Sequence, residues 1–186
     1  MTNRSDPLEA RCREVIGWRM QLVPYLTAAF QLYAEDGTPP FRALVLDAPG
    51  QVKLQDVDDQ YMIGDRMMVA PLFAGEPDRK VVLPQGAWHD FWTGEPLKGG
   101  TEIQVSASTE KIPVYVKSGS IVPWADIAQH AGAPESRRLT ARVYGDGSLL
   151  FAMQTGNATL RLSWSNNKGS AEGASGYDVY AWKRIG

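Results

Sequence analysis

The chain is poor in reactive side chains: its 186 residues hold one cysteine and two histidines. Cys12 has no partner for an internal disulfide. Its place in a helical pattern predicts a small buried apolar residue rather than a nucleophile. His89 and His130 stand far apart in sequence, with no cysteine or acidic cluster at ligand spacing, which argues against a metal site and against a Ser-His-Asp arrangement. Charge of one sign is also missing. The net charge is -2 with acids and bases interspersed, so there is no basic stripe for nucleic acid and no polybasic patch for a membrane surface. No apolar run is long enough to span a bilayer, and Met1 to Asp6 carries no apolar core of signal-peptide length. A soluble chain is expected, with its compartment left open.

What is present is a chain long enough to bury a core without disulfide support. Asp58 to Phe73 organises it. Tyr61, Met62 and Ile63 lead into the turn pair Gly64-Asp65, and Met67, Met68, Val69 and Ala70 then run uncharged to Pro71. Such a run bounded by turn residues predicts a strand buried on both faces, with Met67 and Met68 as core filler.

Before this stretch the pattern is helical. Asp6 can cap, Pro7 suits the first helical position and Glu9 can close a capping box. Val15, Ile16, Met20, Val23, Leu26, Phe30 and Tyr33 follow at helical spacing until Gly37. Pro24 predicts a kink, or two helices meeting near Leu22. The segment is too apolar for an independent surface helix and calls for a large apolar partner. Phe41 to Leu46 reads as a strand, and Gln51 to Asp59 as polar loop.

After it, strand signals recur at Lys80 to Leu83, Ala87 to Trp92, Thr101 to Val105, Ile112 to Val116 and Ile121 to Pro123, the spacing of an antiparallel sandwich. Asp126 to Arg137 breaks that rhythm. Leu139 to Tyr144, Ser148 to Gln154, Ala158 to Trp164 and Tyr177 to Ile185 predict four further strands, with Asp146-Gly147 and Gly156-Asn157 as hairpin turns. Asn166 to Gly176 reads as a mobile loop. The expected fold is therefore mainly β: an antiparallel β-sandwich and a second small β domain after an N-terminal helical segment. The expected division is 1–37 helical, 38–125 sandwich, 126–138 linker and 139–186 distal β domain.

Two groups of residues compete for a functional role. Asp58 and Asp59 are adjacent carboxylates, but neighbours on an extended chain point to opposite faces, so they read as loop carboxylates accepting backbone or arginine hydrogen bonds. Asp65 reads as a turn residue. Trp88 and Trp92, four apart, would share one face of a strand with Phe91 on the other. They fill the core between two sheets, which is the favoured reading, form a sugar-stacking platform, or make an inter-domain contact.

Taken in order, several stretches resemble the C-terminal part of glycoside hydrolase family 31, the alpha-glucosidase and alpha-xylosidase family. They are Arg-Met-Gln-Leu-Val-Pro-Tyr-Leu from Arg19 to Leu26, Gly-Thr-Pro-Pro-Phe-Arg-Ala-Leu from Gly37 to Leu44 and Asp-Asp-Gln-Tyr-Met-Ile-Gly-Asp from Asp58 to Asp65. Val69-Ala70-Pro71, Leu-Pro-Gln-Gly from Leu83 to Gly86, Trp-His-Asp-Phe-Trp-Thr-Gly from Trp88 to Gly94 and Ile112 to Pro123 complete the set. Val143 to Ser148 is similar, less specifically, to the small distal β domain of these enzymes. The resemblance implies that the helical segment is like the last helix of a (β/α)8 barrel, with a proximal sandwich packing on the barrel.

It further implies retaining hydrolysis of α-glycosides, which needs two carboxyl groups about 5 Å apart. In the family these lie in barrel motifs that would be upstream of Met1, so no catalytic, cofactor-binding or metal-binding residue is assigned here. The expected role is an accessory region whose partner is the catalytic barrel. No cofactor is implied. Two alternatives stand beside it: a carbohydrate-binding module using Trp88 and Trp92, and an interaction domain docking, or self-associating, through its apolar helix.

Overall fold

The computed structural model describes residues 7–73, 75, 78–106, 111–173 and 176–186. Two helices lead, α1 over Pro7–Gln21 and α2 over Val23–Asp36. They meet at Leu22, as Pro24 predicts: proline offers no N–H to the preceding turn, and the helix restarts around it. Gly37 ends α2 in the left-handed conformation (φ 80°), its N–H donating to the Tyr33 carbonyl. The predicted cap Asp6 lies outside the described residues.

The strands follow as β1 (Phe41–Ala43), β2 (Tyr61–Ile63), β3 (Met67–Val69), β4 (Asp78–Leu83), β5 (Ala87–Asp90), β6 (Pro96–Lys98) and β7 (Thr101–Ser106). β8 (Val114–Lys117), β9 (Ser120–Ala125), β10 (Arg138–Tyr144), β11 (Leu149–Thr155), β12 (Ala158–Ser165), β13 (Lys168–Glu172) and β14 (Asp178–Ile185) complete them. A six-stranded antiparallel sheet in the order β1-β2-β3-β8-β5-β6 is flanked by β14-β10-β9, β11-β12-β13 and the pair β4-β7.

The run at Met67 to Val69 sits at the centre of that larger sheet, and its strand is buried on both faces. Met67 and Val69 enter one core with Val114, Val116, Ile121, Val143, Phe151 and Leu162. Met68 enters the other with Met62, Leu44, Val81, Trp88 and Tyr115. The side-chain period of two thus makes the sheet a middle layer between two apolar clusters, one under β9 to β12 and α2, the other under β4 and β7.

Three expectations are corrected. β1 stops at Ala43, and Leu44–Asp47 forms a helical turn, α3, in place of strand. That turn carries the Asp47 carboxylate back to the Arg42 guanidinium and the Lys117 ammonium. Next, Asp146-Gly147 does not close a hairpin: β10 and β11 belong to different sheets, and the turn carries the chain between them. β10 also pairs with β14 in parallel, since β11, β12 and β13 form the long connection that a parallel pair needs.

The third correction is β13, which lies inside the predicted mobile loop and pairs with β12 from Ser165↔Lys168 to Arg161↔Glu172. Asn166 and Asn167 both adopt positive φ, 51° and 58°, as a two-residue hairpin demands. Gly169 lies flat beneath the Trp182 indole, where an added Cβ would come within 1.9 Å of ring carbon. Between β9 and β10, residues 126–137 include a 3-10 turn at Pro134–Arg137, and the two strands pair directly from Ala125↔Leu139 to Ser120↔Tyr144.

Candidate functional site

The structure separates the two tryptophans that sequence placed on one face. β5 ends at Asp90, whose carboxylate accepts from the backbone N–H groups of Trp92 and Thr93 and bends the chain. Spacing by four therefore no longer means a shared strand face. Trp88 is 1% exposed, packs in the core of Met62 and Tyr115, and donates its indole N–H to the Pro84 carbonyl. Its rings offer no face to solvent. Trp92 packs from the other side, against Phe91 and Trp18, with its N–H on the Ile112 carbonyl and the Lys111 ammonium 5.1 Å from its ring centre.

The carboxylates are just as dispersed. Asp58 is exposed, while Asp59 accepts from the buried Arg79 guanidinium, which also donates to the Pro71 carbonyl. Sequence reasoning missed Arg79, although the alternation of β4 puts it on the same face as Val81 and Leu83. Arg42, paired with Asp47, is a second buried cation that no local pattern announced.

Asp65 sits in the β2–β3 turn beside Arg66 Nε at 3.3 Å. His89 is buried between the Gly94 carbonyl and the Ser118 hydroxyl, each 3.3 Å from a ring nitrogen, whereas His130 is exposed on a bend. Among the described residues, no group of three or more His, Cys, Asp or Glu is placed to hold a metal ion. Cys12 is exposed, correcting the expected burial: α1 touches the rest of the fold through Gly17, Trp18 and Gln21, and Cys12 lies off that contact.

Burial also marks the tyrosines. Desolvation pushes the Tyr25 phenol far above its ordinary range, and the nearby Asp65 charge adds to it. Burial likewise raises Tyr115 and Tyr144, each to about 12. Tyr25 has a structural task here: its hydroxyl donates to the Ile63 carbonyl and accepts from the Arg66 N–H, pinning α2 to the β2–β3 turn. A phenol held neutral in this way is a packing element, not an acid or base for chemistry near neutral pH.

Comparison with known proteins places this arrangement. Residues 37–122 match the family described as Glycosyl hydrolase family 31 C-terminal domain. An isomaltosyltransferase of Sporosarcina globispora is 37% identical over 113 residues, covering 60% of this chain and 10% of the relative. An alpha-glucosidase 2 of Bacillus thermoamyloliquefaciens is 31% identical over 140 residues, covering 75% and 18%. Among solved structures, a GH31 dextranase of Flavobacterium johnsoniae superposes with a TM-score of 0.81 at 25% identity, covering 94% of this chain and 24% of that one. The chain spans between a tenth and a fifth of the length of these two curated relatives. Residues 37–122 thus match the C-terminal domain of glycosyl hydrolase family 31, and the chain resembles the C-terminal part of that family's enzymes.

Proposed function

We propose that the chain is the non-catalytic C-terminal region of a retaining α-glycoside hydrolase, packing on a (β/α)8 barrel that supplies the catalytic carboxylates. The observation that carries this reading is α1. Of its fifteen residues only Gly17 is buried, while Leu8, Val15 and Ile16 stand open. Phe30 and Tyr33 on α2 and Phe41 on β1 extend the apolar surface, each about half exposed. A helix so short gains little from propensity alone and needs a packed face. The division into a helical segment to 37, a proximal sandwich to 125 and a distal β domain from 139 belongs to this proposal.

Substrate choice is assigned to the barrel. The relatives named above carry three different activities in their names yet share this region, so the region supports a common scaffold rather than a pocket for one sugar. A chimera tests the reading: this chain replaces the matching region of the Bacillus alpha-glucosidase 2. Hydrolysis of p-nitrophenyl α-glucoside should persist, and Ile16→Asp with Phe30→Asp should lower it at least about tenfold through loss of folded enzyme. A doubly substituted chimera as active and as heat-stable as the unsubstituted one would overturn the packing role.

A further inference from the structure

A cleft of about 340 Å³ opens between α2, the β2–β3 turn and β11. One wall is Ala28, Leu32 and Glu35, which follow at i, i+4 and i+7 on α2; the other is β11 from Leu150 to Gln154. The Gln31 amide bolts the walls together. It donates to the Gln154 carbonyl at 2.6 Å and accepts from the Gln154 N–H at 2.8 Å, as a neighbouring strand would. β11 is the edge of its sheet, so this pairing sets the width of the cleft.

The polar groups at its mouth are incompletely used. Glu35 makes no hydrogen bond or ion pair with any described residue. Asp65 bonds only to Nε of its neighbour Arg66. Both Nη atoms of Arg66 are without a hydrogen-bond partner among the described residues, although the side chain is only 21% exposed and its guanidinium is held 5.9 Å from the Phe151 ring centre. Two carboxylates and one fixed guanidinium fork thus converge beside the apolar Leu32 and the exposed Leu150.

We infer that this cleft is a non-catalytic saccharide-binding site. Carboxylates accept from vicinal hydroxyls, the guanidinium donates two parallel hydrogen bonds to ring or hydroxyl oxygens, and the leucines cover the C–H face of a pyranose. The volume lies at the small end of ligand pockets, which fits a mono- or disaccharide unit. The choice of saccharide among polyols rests on the proposed function. Position favours continued access as well: Phe30 and Tyr33 project from the opposite flank of α2, so a barrel seated on them leaves the cleft free.

The test is titration of the full 186-residue chain with glucose, maltotriose and isomaltotriose, read by amide NMR shifts. The expected result is saturable shifts at Gln31, Asp65, Arg66 and Leu150 to Gln154 with millimolar affinity. Glu35→Gln, at an exposed residue whose change leaves the fold intact, and Arg66→Lys should each weaken binding at least about fivefold. No shift up to about 50 mM sugar, shifts centred instead on Trp92, or binding indifferent to both substitutions would overturn the site. An active chimera without cleft binding would sink this site alone. Cleft binding with an inactive chimera would sink the packing proposal alone.

Discussion

Gly64 shows how one residue locks helix to sheet. It adopts φ 58°, its N–H donates to the Pro40 carbonyl, and an added Cβ would stand 2.6 Å from the Tyr25 hydroxyl oxygen. Gly64→Ala should cost about 1–2 kcal/mol for the left-handed backbone, plus the clash. Tyr25→Phe should cost about 1–3 kcal/mol, because the Ile63 carbonyl and Arg66 N–H lose their partner. In the double variant the nearest contact, to the hydroxyl oxygen, is gone and the ring carbon Cζ at 3.0 Å remains, so denaturant melts should give a combined loss below the sum of the singles. Simple additivity would contradict the contact.

The same tyrosines set the alkaline limit. Folded-state pKa values raised by burial give stability that is complete below the ordinary phenol pKa of about 10 and is lost as pH rises through the folded values. Those values are about 12 for Tyr115 and Tyr144. The Tyr115 and Tyr144 ring resonances should therefore stay those of neutral phenols until tryptophan fluorescence reports unfolding between those limits. Ionisation of either residue near 10 within an intact fold would contradict the burial. From sequence, Gly64-Asp65 was readable as a turn. The need for glycine was not, because Tyr25 approaches it from a helix nearly forty positions away, at |i−j| of 38 to the Ile63 carbonyl.

Among the elements, β3 and α1 are opposites. β3 was legible because three consecutive apolar residues of one short run can only be satisfied by core on both sides, and the two clusters divide them as the period of two requires. β13 was not legible. Its Lys-Gly-Ser-Ala-Glu sequence has no strand propensity, and it is held by its ladder to β12 and by Trp182 lying over Gly169. Trp88 and Trp92 fail for a related reason: the bend made by the Asp90 carboxylate is a side-chain effect that spacing cannot express.

The sequence of α1 calls for a large apolar partner, and among the described residues it meets the rest of the fold only around Gly17, Trp18 and Gln21. With Ile16, Phe30 and Tyr33 open, the chain alone should self-associate at micromolar concentration. Light scattering should report a mass above the monomer that falls toward it in Ile16→Asp and Phe30→Asp variants. A strictly monomeric parent would count against an adhesive helix face.

For the whole molecule, the order of motifs along the chain was more informative than any single site. No constellation of catalytic residues could be read from the sequence. Asp58 and Asp59 look like a pair only in one dimension. In the fold, Asp59 is committed to Arg79 while Asp58 remains on the surface. The cleft beside α2 was invisible because its charged groups, Glu35, Asp65 and Arg66, come from a helix end and a turn that Tyr25 holds together, while β11 closes the other wall through Gln154. The folded chain is thus a pair of apolar cores around one sheet with an open helical face, the face that the proposed function seats on a barrel.

The most direct measurement is hydrolysis of p-nitrophenyl α-glucoside and α-xyloside by the purified chain, beside an Asp59→Asn variant. The expected result is no turnover above buffer for either protein. Turnover by the chain that disappears in the variant would contradict the account, making Asp59 a catalytic carboxylate rather than the partner of Arg79.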